Sequence, residues 1–264
     1  MISLLLASAA AFCVLMLAGW VFQCVAGNGG WTDVFWTFGT GLAGALVALY
    51  PLAGHAPSHR QIMVAALIGV WALRLGLHIA LRVTHSPEDA RYAALRQHWG
   101  PRFQLAMAVF LPGQAILSIP LLASIMLAAR NPAPGLGLED LLGVAILVAA
   151  VLGEGAADQQ LDRFKADPAN RGRVCGAGLW AWSRHPNYFF EWMGWLAYPV
   201  IALNLSGSWP QGVLALTGPL AMYAILNYGT GLPPLEAHML RTRGEAFRAY
   251  QRRTSAFFPL PPKT

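Results

Sequence analysis

Long apolar stretches, separated by short polar segments, run through the whole chain. They lie at about residues 3–25, 32–52, 62–83, 104–129, 138–157, 189–206 and 210–230. A helix needs roughly 17–25 predominantly apolar residues to cross the hydrocarbon core of a bilayer. The pattern therefore predicts an all-α fold, an integral membrane bundle of seven transmembrane helices.

The composition agrees with a membrane protein, because 56% of the residues are hydrophobic and only 11% are charged. A soluble domain carries about 25% charged residues. All but three of the 18 Lys and Arg residues lie around the loops after the third and fifth stretches or in the C-terminal tail. Since cytoplasmic loops carry the excess of Lys and Arg, we expect the N-terminus outside and the C-terminus in the cytoplasm. These basic residues form no continuous soluble face, so we expect no nucleic-acid partner.

Residues 183–192 place several polar side chains at the start of an apolar helix. Pro186 suits the first helical position, and Asn187 and Glu191 then share one helix face. Snorkelling and helix capping would account for Arg184 and His185, but not for polar groups inside the helix. Such groups are costly beside hydrocarbon unless they bind something polar. We therefore predict a ligand site formed by Arg184, His185, Asn187, Tyr188 and Glu191.

A second polar cluster precedes that helix, on the side predicted to be cytoplasmic. Its mixture of hydrogen-bond acceptors and cations suits the ribose and phosphates of a nucleotide. A solvated loop that obeys the positive-inside rule would have the same composition, so the two interpretations are equally weighted. The cluster consists of Asp158, Asp162, Lys165, Arg171 and Arg173.

The N-terminal half carries a third set of candidates. Arg74, His78 and Arg82 are spaced by four on one stripe of the third stretch, which indicates a polar cavity rather than lipid. Asp33 is a lone acid near the start of the second stretch, and Tyr92 is a candidate proton donor. A short helix bearing Tyr92 is predicted to begin with Ser86 as its N-cap.

The tail after the last apolar stretch is basic and amphipathic. Residues 231–234 end the preceding helix, and a helix is predicted from about Leu235 to Arg253. Glu236 and Tyr250 would close the polar site if this helix folds back under the bundle. An amphipathic helix lying on anionic lipid is an alternative of comparable weight. Cys13, Cys24 and Cys175 lack metal-ligand spacing, so the sequence predicts no metal site.

Residues 183–192, 231–236 and 250–259 resemble bacterial membrane proteins related to steroid 5-alpha-reductase, over roughly residues 150–260. The resemblance implies a seven-helix bundle that binds NADPH from the cytoplasmic side and reduces a conjugated C=C of a 3-oxo-4-ene steroid. Asn187 and Glu191 match the family's nicotinamide- and ribose-binding residues. Asp158, Lys165 and Arg173 match its adenosine- and phosphate-binding positions in spacing. Tyr250 and the Pro259 ending match its closing tail.

The N-terminal half departs from the eukaryotic members of that family. They use a tyrosine and a glutamate to polarise the substrate carbonyl, whereas Ile79 stands where the tyrosine would be, between His78 and Arg82. No matching glutamate is evident, and Asp33 is the weak substitute. Reduction of an enone requires a hydride donor, supplied by a cofactor, and a hydrogen-bond donor at the carbonyl oxygen. The catalytic candidates are His78, Arg82, Tyr92 and Asp33.

The predicted protein is a single domain, with residues 1–130 on the substrate side and residues 150–260 as the cofactor-binding half. We expect a monomer in a bacterial inner membrane, with membrane lipid around it and a lipophilic steroid-like enone as substrate. An alternative is an S-adenosylmethionine-dependent membrane methyltransferase acting on isoprenylcysteine or phospholipid. The cationic cluster argues against this alternative, because S-adenosylmethionine has no phosphate. A non-enzymatic lipid-binding or transport protein is less favoured, because neither repeated halves nor broken-helix pairs are visible.

Overall fold

The computed structural model describes residues 1–51, 55–204 and 207–263, and this part of the chain is helical. Its one β-bridge pairs Ser183 with Ser255 in parallel. The first seven helices are α1 Ile2–Ala26, α2 Trp31–Leu49, α3 His59–His85, α4 Ala90–Trp99, α5 Phe103–Leu117, α6 Ile119–Ala129 and α7 Leu138–Ala166. The others are α8 Leu179–Trp182, α9 Pro186–Trp195, α10 Ala197–Ala202, α11 Thr217–Tyr228, α12 Leu232–Arg243 and α13 Glu245–Arg253.

Six helical segments of the described chain are long and apolar enough to cross a membrane. This supports a multi-pass helical membrane protein. Two of the six segments are runs of consecutive helices rather than single ones. The segments are Ile2–Ala26, Trp31–Leu49, His59–His85, Ala90–Ala129, Leu138–Ala166 and Pro210–Arg243.

The stretch 189–206, predicted as one span, is divided between two short helices. α9 ends at Trp195 and α10 begins at Ala197. Pro199 has no N–H with which to continue the helical hydrogen bonding to the carbonyl of Trp195, which explains a break at this point. Neither helix alone has the length of a membrane span, and residues 205–206 of the predicted stretch lie outside the described residues.

Two predicted helix boundaries are wrong. Ser86 is not the N-cap of the short helix, because α3 continues to His85 and Ser86 is extended. Asp89 is the N-cap instead, and its carboxylate accepts the Arg91 N–H at 2.9 Å. The tail helix predicted from about Leu235 to Arg253 is two helices, separated by Gly244 with φ 52°. A positive φ at this position favours glycine.

The chain divides into two compact units, which are described separately. The first unit comprises Met1–Val144 and Leu196–Ala221, and the second comprises Ala145–Trp195 and Met222–Thr264. Residues 196–221, expected within the cofactor-binding half, therefore belong to the first unit.

In the first unit, α2 and α3 pack closely through small residues. A Cβ added at Gly41 would lie 2.3 Å from the Cβ of Ala72. A separate core beside α1 and α5 contains Phe12, Met16 and Met107, which are at most 2% exposed. Both contacts bury apolar surface between neighbouring helices, where close packing adds dispersion attraction.

The first unit also contains a buried ion pair that sequence reasoning missed. The Arg60 guanidinium donates to both carboxylate oxygens of Asp140, at 2.8 and 2.7 Å. It also donates to the backbone carbonyls of Asn131, Ala133 and Gly135. These bonds compensate the cost of burying both charges and join α3 to the loop before α7.

In the second unit, α7 and α9 approach each other through glycines. A Cβ added at Gly153 would lie 2.4 Å from the Phe190 ring, and one at Gly194 would lie 3.3 Å from Ala150. Trp180 of α8 donates its indole N–H to the carbonyl of Ala157 at 3.0 Å. The close approach brings the polar positions of α7 next to those of α9.

Candidate functional site

Buried polar side chains of α7 and α9 form the centre of the candidate site. The Asn187 amide donates to an oxygen of Asp158 at 3.1 Å. Asp158 is 8% exposed and Glu191, four residues beyond Asn187, is 7% exposed. The structure therefore brings together two of the polar groups that the sequence singled out, although 29 residues separate them.

Two further contacts orient the polar face of α9. The Glu191 carboxylate accepts the indole N–H of Trp195, one turn later, at 3.0 Å. The ring of Tyr188 stacks on the imidazole of His185, with centroids 5.7 Å apart. Glu154, four residues before Asp158 on α7, is a third buried carboxylate at 5% exposure. Its position near the end of an apolar stretch gave no signal that it would lie close to this site.

The predicted phosphate-binding cations lie at the end of α7 and in the following loop. Lys165, Arg171 and Arg173 are exposed, and none of them pairs with a carboxylate among the described residues. A 3-10 turn at Pro168–Asn170 leads into the loop that carries the two arginines. Exposed, unpaired cations are able to bind an anion without first breaking an internal ion pair.

Arg184, His185 and Glu236, all predicted to contact a cofactor, contact one another. The Arg184 Nε donates to Glu236 Oε1 at 2.7 Å, and the His185 Nε2 lies 3.1 Å from the same oxygen. Gln251 donates to the other oxygen of Glu236 at 2.9 Å, and Arg184 also donates to the carbonyl of Thr254 at 2.6 Å. These groups connect α12 and the tail to the start of α9.

The tail packs against the segment before α9, and Tyr250 is one of the residues that join them. The Tyr250 hydroxyl donates to the carbonyl of Trp180, and burial raises its pKa, which keeps it protonated. The Ser183 hydroxyl donates to the carbonyl of Phe257 at 2.8 Å. The Arg184 N–H donates to the carbonyl of Ser255 at 2.8 Å. Tyr250, Arg184 and Glu236 therefore hold the tail in place.

In the first unit, Asp33 and Tyr92 form a hydrogen-bonded pair. The buried Tyr92 hydroxyl donates to Asp33 Oδ1 at 2.7 Å and accepts from Thr32 at 2.7 Å. Arg91 donates to the other Asp33 oxygen at 2.6 Å. Two catalytic candidates thus share one polar network. Arg91, which sequence reasoning left out of the catalytic set, supplies the cation that pairs with the partly buried Asp33 carboxylate.

The remaining catalytic candidates lie on α3. Arg82 is exposed and approaches Asp89, which pairs with Arg91, at 3.7 Å. His78 lies one turn before Arg82 and is partly buried. Beside this network, burial alone would raise the pKa of Glu88. Hydrogen bonds from Arg96 and the Gly29 N–H instead lower it below the usual value.

Comparison with known proteins places the chain in a family without an assigned activity. The uncharacterized protein C594.04c of Schizosaccharomyces pombe is 25% identical over 280 aligned residues, which cover 92% of this chain and 79% of the relative. No solved structure matches the chain. The model of the family "Protein of unknown function (DUF1295)" matches residues 19–254. This match covers most of the sequence, and the chain therefore belongs to the DUF1295 family.

Proposed function

We propose that this protein is an NADPH-dependent membrane reductase that reduces a conjugated C=C in a lipophilic enone, with 3-oxo-4-ene steroids as the substrate class. The observation that carries the proposal is the hydrogen bond from the partly buried Asn187 to the buried Asp158, with the buried Glu191 on the same face of α9 as Asn187. Ionisable groups at membrane depth are rare outside functional sites. The resemblance of residues 183–192 to steroid 5-alpha-reductases supplies the reaction class.

The side chains of the second unit fit a phosphorylated dinucleotide. Asp158 and Glu191 offer carboxylate oxygens to ribose hydroxyls, and Asn187 offers both a donor and an acceptor to a carboxamide. Lys165, Arg171 and Arg173 would bind the phosphates. Arg184 is a poorer phosphate ligand, because its guanidinium already donates to Glu236 and Thr254. When bound, the nicotinamide supplies the hydride.

Tyr92 is the best candidate for the proton donor. Its hydroxyl lies in a network with Asp33 and Thr32, so its orientation is constrained. Because a hydroxyl has one proton, a hydrogen bond from Tyr92 to the carbonyl oxygen, formed as negative charge develops there, would replace its hydrogen bond to Asp33. Arg91 holds the Asp33 carboxylate in place through a 2.6 Å contact. His78 and Arg82 are assigned secondary roles in binding the substrate oxygen.

The proposal includes seven membrane crossings, with α9 and α10 together forming the sixth, in a bacterial inner membrane. The N-terminus would lie outside and the C-terminus in the cytoplasm, where NADPH is available. A lipophilic substrate would enter from the lipid, and a water-poor site would protect the hydride. We propose that the chain acts as a monomer.

Binding of the cofactor tests the proposal directly. The purified protein in detergent is titrated with NADPH and, separately, with S-adenosylmethionine, and tryptophan fluorescence is followed. We expect NADPH to quench this fluorescence, because the indole of Trp195 is hydrogen-bonded to Glu191, which is one of the residues proposed to contact the cofactor. S-adenosylmethionine should have no effect. The reverse preference would transfer the assignment to the alternative, a membrane methyltransferase.

Single substitutions then locate the site. Glu191→Gln and Asn187→Ala should each weaken NADPH binding by about tenfold or more, because each removes a hydrogen bond to the ligand in a buried setting. Glu245→Gln is the matched control, since this glutamate is exposed and, among the described residues, pairs only with Arg248 and Arg252. Elution as a single species on size exclusion would show that the variants fold. Normal NADPH binding by both site variants would place the cofactor elsewhere.

A further inference from the structure

The C-terminal tail encloses a small basic pocket that the proposed reduction does not use. The cavity has a volume of about 220 Å³. Its cationic lining consists of Arg184, Arg252, Arg253 and Lys263, and no carboxylate of residues 207–263 or of the other described ranges lines it. Small-molecule sites usually measure about 300–1,000 Å³. This pocket therefore has room for one charged group rather than for a whole nucleotide.

Two of the cations are available for an external anion. Arg252 pairs with Glu245 at 2.9 Å, on the exposed side of α13. In the described chain, neither Arg253 nor Lys263 has a carboxylate partner. The Arg253 guanidinium packs over the Tyr250 ring at 5.8 Å and above Gly176, where a side chain would displace it. Arg253 is thus positioned by an aromatic contact rather than by an opposite charge.

Backbone hydrogen bonds hold the pocket walls. The Lys263 N–H donates to the carbonyl of Arg253 at 2.8 Å, and the Leu260 N–H donates to the carbonyl of Trp182 at 3.0 Å. Arg184, which also lines the pocket, donates to the carbonyl of Thr254. The backbones of Arg253 and Lys263, the two available cations, are therefore linked to each other by a hydrogen bond. Fixing cations in this way lowers the entropy lost when an anion binds.

The apolar face of α13 packs within the protein and is not available for membrane binding. Phe247 and Tyr250, on the apolar face of α13, are 2% and 3% exposed, because they pack within the protein. Arg248 and Arg252 are exposed on the opposite face. Leu260, beside the pocket, is 55% exposed. An attraction between this tail and a membrane would therefore be electrostatic, with only a small apolar contact at the pocket edge.

We propose that the tail pocket binds the phosphate group of an anionic phospholipid headgroup. Phosphate is the anion that arginine and lysine side chains recognise together, by bidentate and point-charge contacts respectively. The neighbouring Leu260 suits the glycerol or acyl portion of the same lipid. Arg184 is the one pocket cation that was also predicted to contact the cofactor, and its guanidinium already donates to Glu236 and Thr254, whereas Arg253 and Lys263 have no role in the proposed reduction. The bound lipid would anchor the tail that closes over the start of α9.

Calorimetric titration of the purified full chain tests the proposal without NADPH, so its outcome does not depend on the reductase assignment. The ligands are dihexanoylphosphatidylglycerol, dihexanoylphosphatidylcholine and inorganic phosphate. We expect the anionic lipid to bind most tightly. The double variant Arg253→Gln, Lys263→Gln should raise its Kd by about tenfold or more, because two charge-assisted hydrogen bonds are lost. The charge-conserving exchange Arg253→Lys, Lys263→Arg should retain most of the binding.

Arg241→Gln, Arg248→Gln is the matched control, because it removes the same charge from exposed positions outside the pocket. This variant should bind phosphatidylglycerol normally. Equal weakening in both double variants would overturn the pocket in favour of general charge attraction. Equal binding of phosphatidylcholine would also overturn it. If inorganic phosphate binds as tightly as phosphatidylglycerol, the lipid assignment is overturned and the pocket's ligand is soluble phosphate.

Discussion

The imidazole of His185 is 4% exposed and lies 3.1 Å from a carboxylate oxygen of Glu236. Burial lowers its pKa below the ordinary value of 6.5, and the neighbouring Arg184 lowers it further. Glu236 acts in the opposite direction but does not outweigh burial. His185 is therefore neutral in the folded protein near neutral pH, and its ring stacks on Tyr188.

This lowered pKa predicts a loss of stability in mild acid. Between the folded pKa and 6.5, the unfolded chain binds a proton that the folded chain does not. Stability therefore falls as the pH drops through 6.5 towards the folded pKa. In detergent, the midpoint temperature of unfolding should decrease as the pH is lowered from about 8 to about 5.5. The variant His185→Gln should show a smaller decrease.

His98→Gln serves as the control, because His98 is exposed and remote in sequence from the tail. It should show the same pH response as the unsubstituted protein. An unfolding midpoint that rises in acid, and loses this rise in His185→Gln, would mean that Glu236 outweighs burial.

The predicted polar residues could be chosen from sequence because a polar or ionisable group in an apolar helix is conspicuous by itself. Asn187 and Glu191 were chosen for this reason, and the structure places Asn187 against Asp158. Arg60 carried no such signal, since it stands at the edge of an apolar stretch like an ordinary loop charge. Its partner Asp140 lies 80 residues away. A pairing over this distance depends on tertiary packing.

At the scale of helices, the packing of α2 on α3 depends on the absence of a side chain. Gly41→Ala would place a Cβ 2.3 Å from that of Ala72, an atom that moves only with its backbone. The two helices must separate. We expect a loss of about 1–3 kcal/mol from overpacking, partly offset by the better helix propensity of alanine. The measurement is the unfolding midpoint in detergent.

Gly69→Ala, on the partner helix α3, is the matched control, because a Cβ there meets no heavy atom within 4 Å. It should be neutral or stabilise the protein by up to about 1 kcal/mol. If both substitutions shift the unfolding midpoint alike, helix propensity rather than close packing governs these positions.

The helix boundaries show where local signals were insufficient. Ser86 and Asp89 are both good N-cap residues, and sequence alone favoured the earlier one. In the structure, Asp89 also pairs with Arg91, while Glu88 accepts hydrogen bonds from the Gly29 N–H and from Arg96. These contacts draw the acids out of the first helical turn. Of these partners, only Gly29 is distant in sequence, 59 residues from Glu88, and its contact is the one that no local pattern could show.

For the whole molecule, the number of membrane crossings determines the relation between the termini. Seven crossings place the N-terminus and C-terminus on opposite sides, whereas six place them on the same side. We expect alkaline phosphatase to be active when fused at the N-terminus, which is predicted to lie outside. Green fluorescent protein fused at the C-terminus should fluoresce, because that terminus is predicted to be cytoplasmic.

The exchanged fusions are the controls, and each should be inactive. Alkaline phosphatase activity at both termini, or fluorescence at both, would show that α9 and α10 do not complete a seventh crossing. The orientation predicted from the Lys and Arg residues would then be wrong for one of the two termini.

The sequence by itself determined that this chain is a multi-pass helical membrane protein, and it located most of the long helices. Hydrophobicity and helix length are local properties, so a window of about 20 residues contains the signal. Only the tertiary structure decided that Arg184, His185 and Glu236 hold the tail, that Asp33 pairs with Tyr92, and that Arg60 pairs with Asp140. Each of these contacts joins residues more than 50 positions apart. Such contacts depend on which helices become neighbours, and no local pattern records this choice.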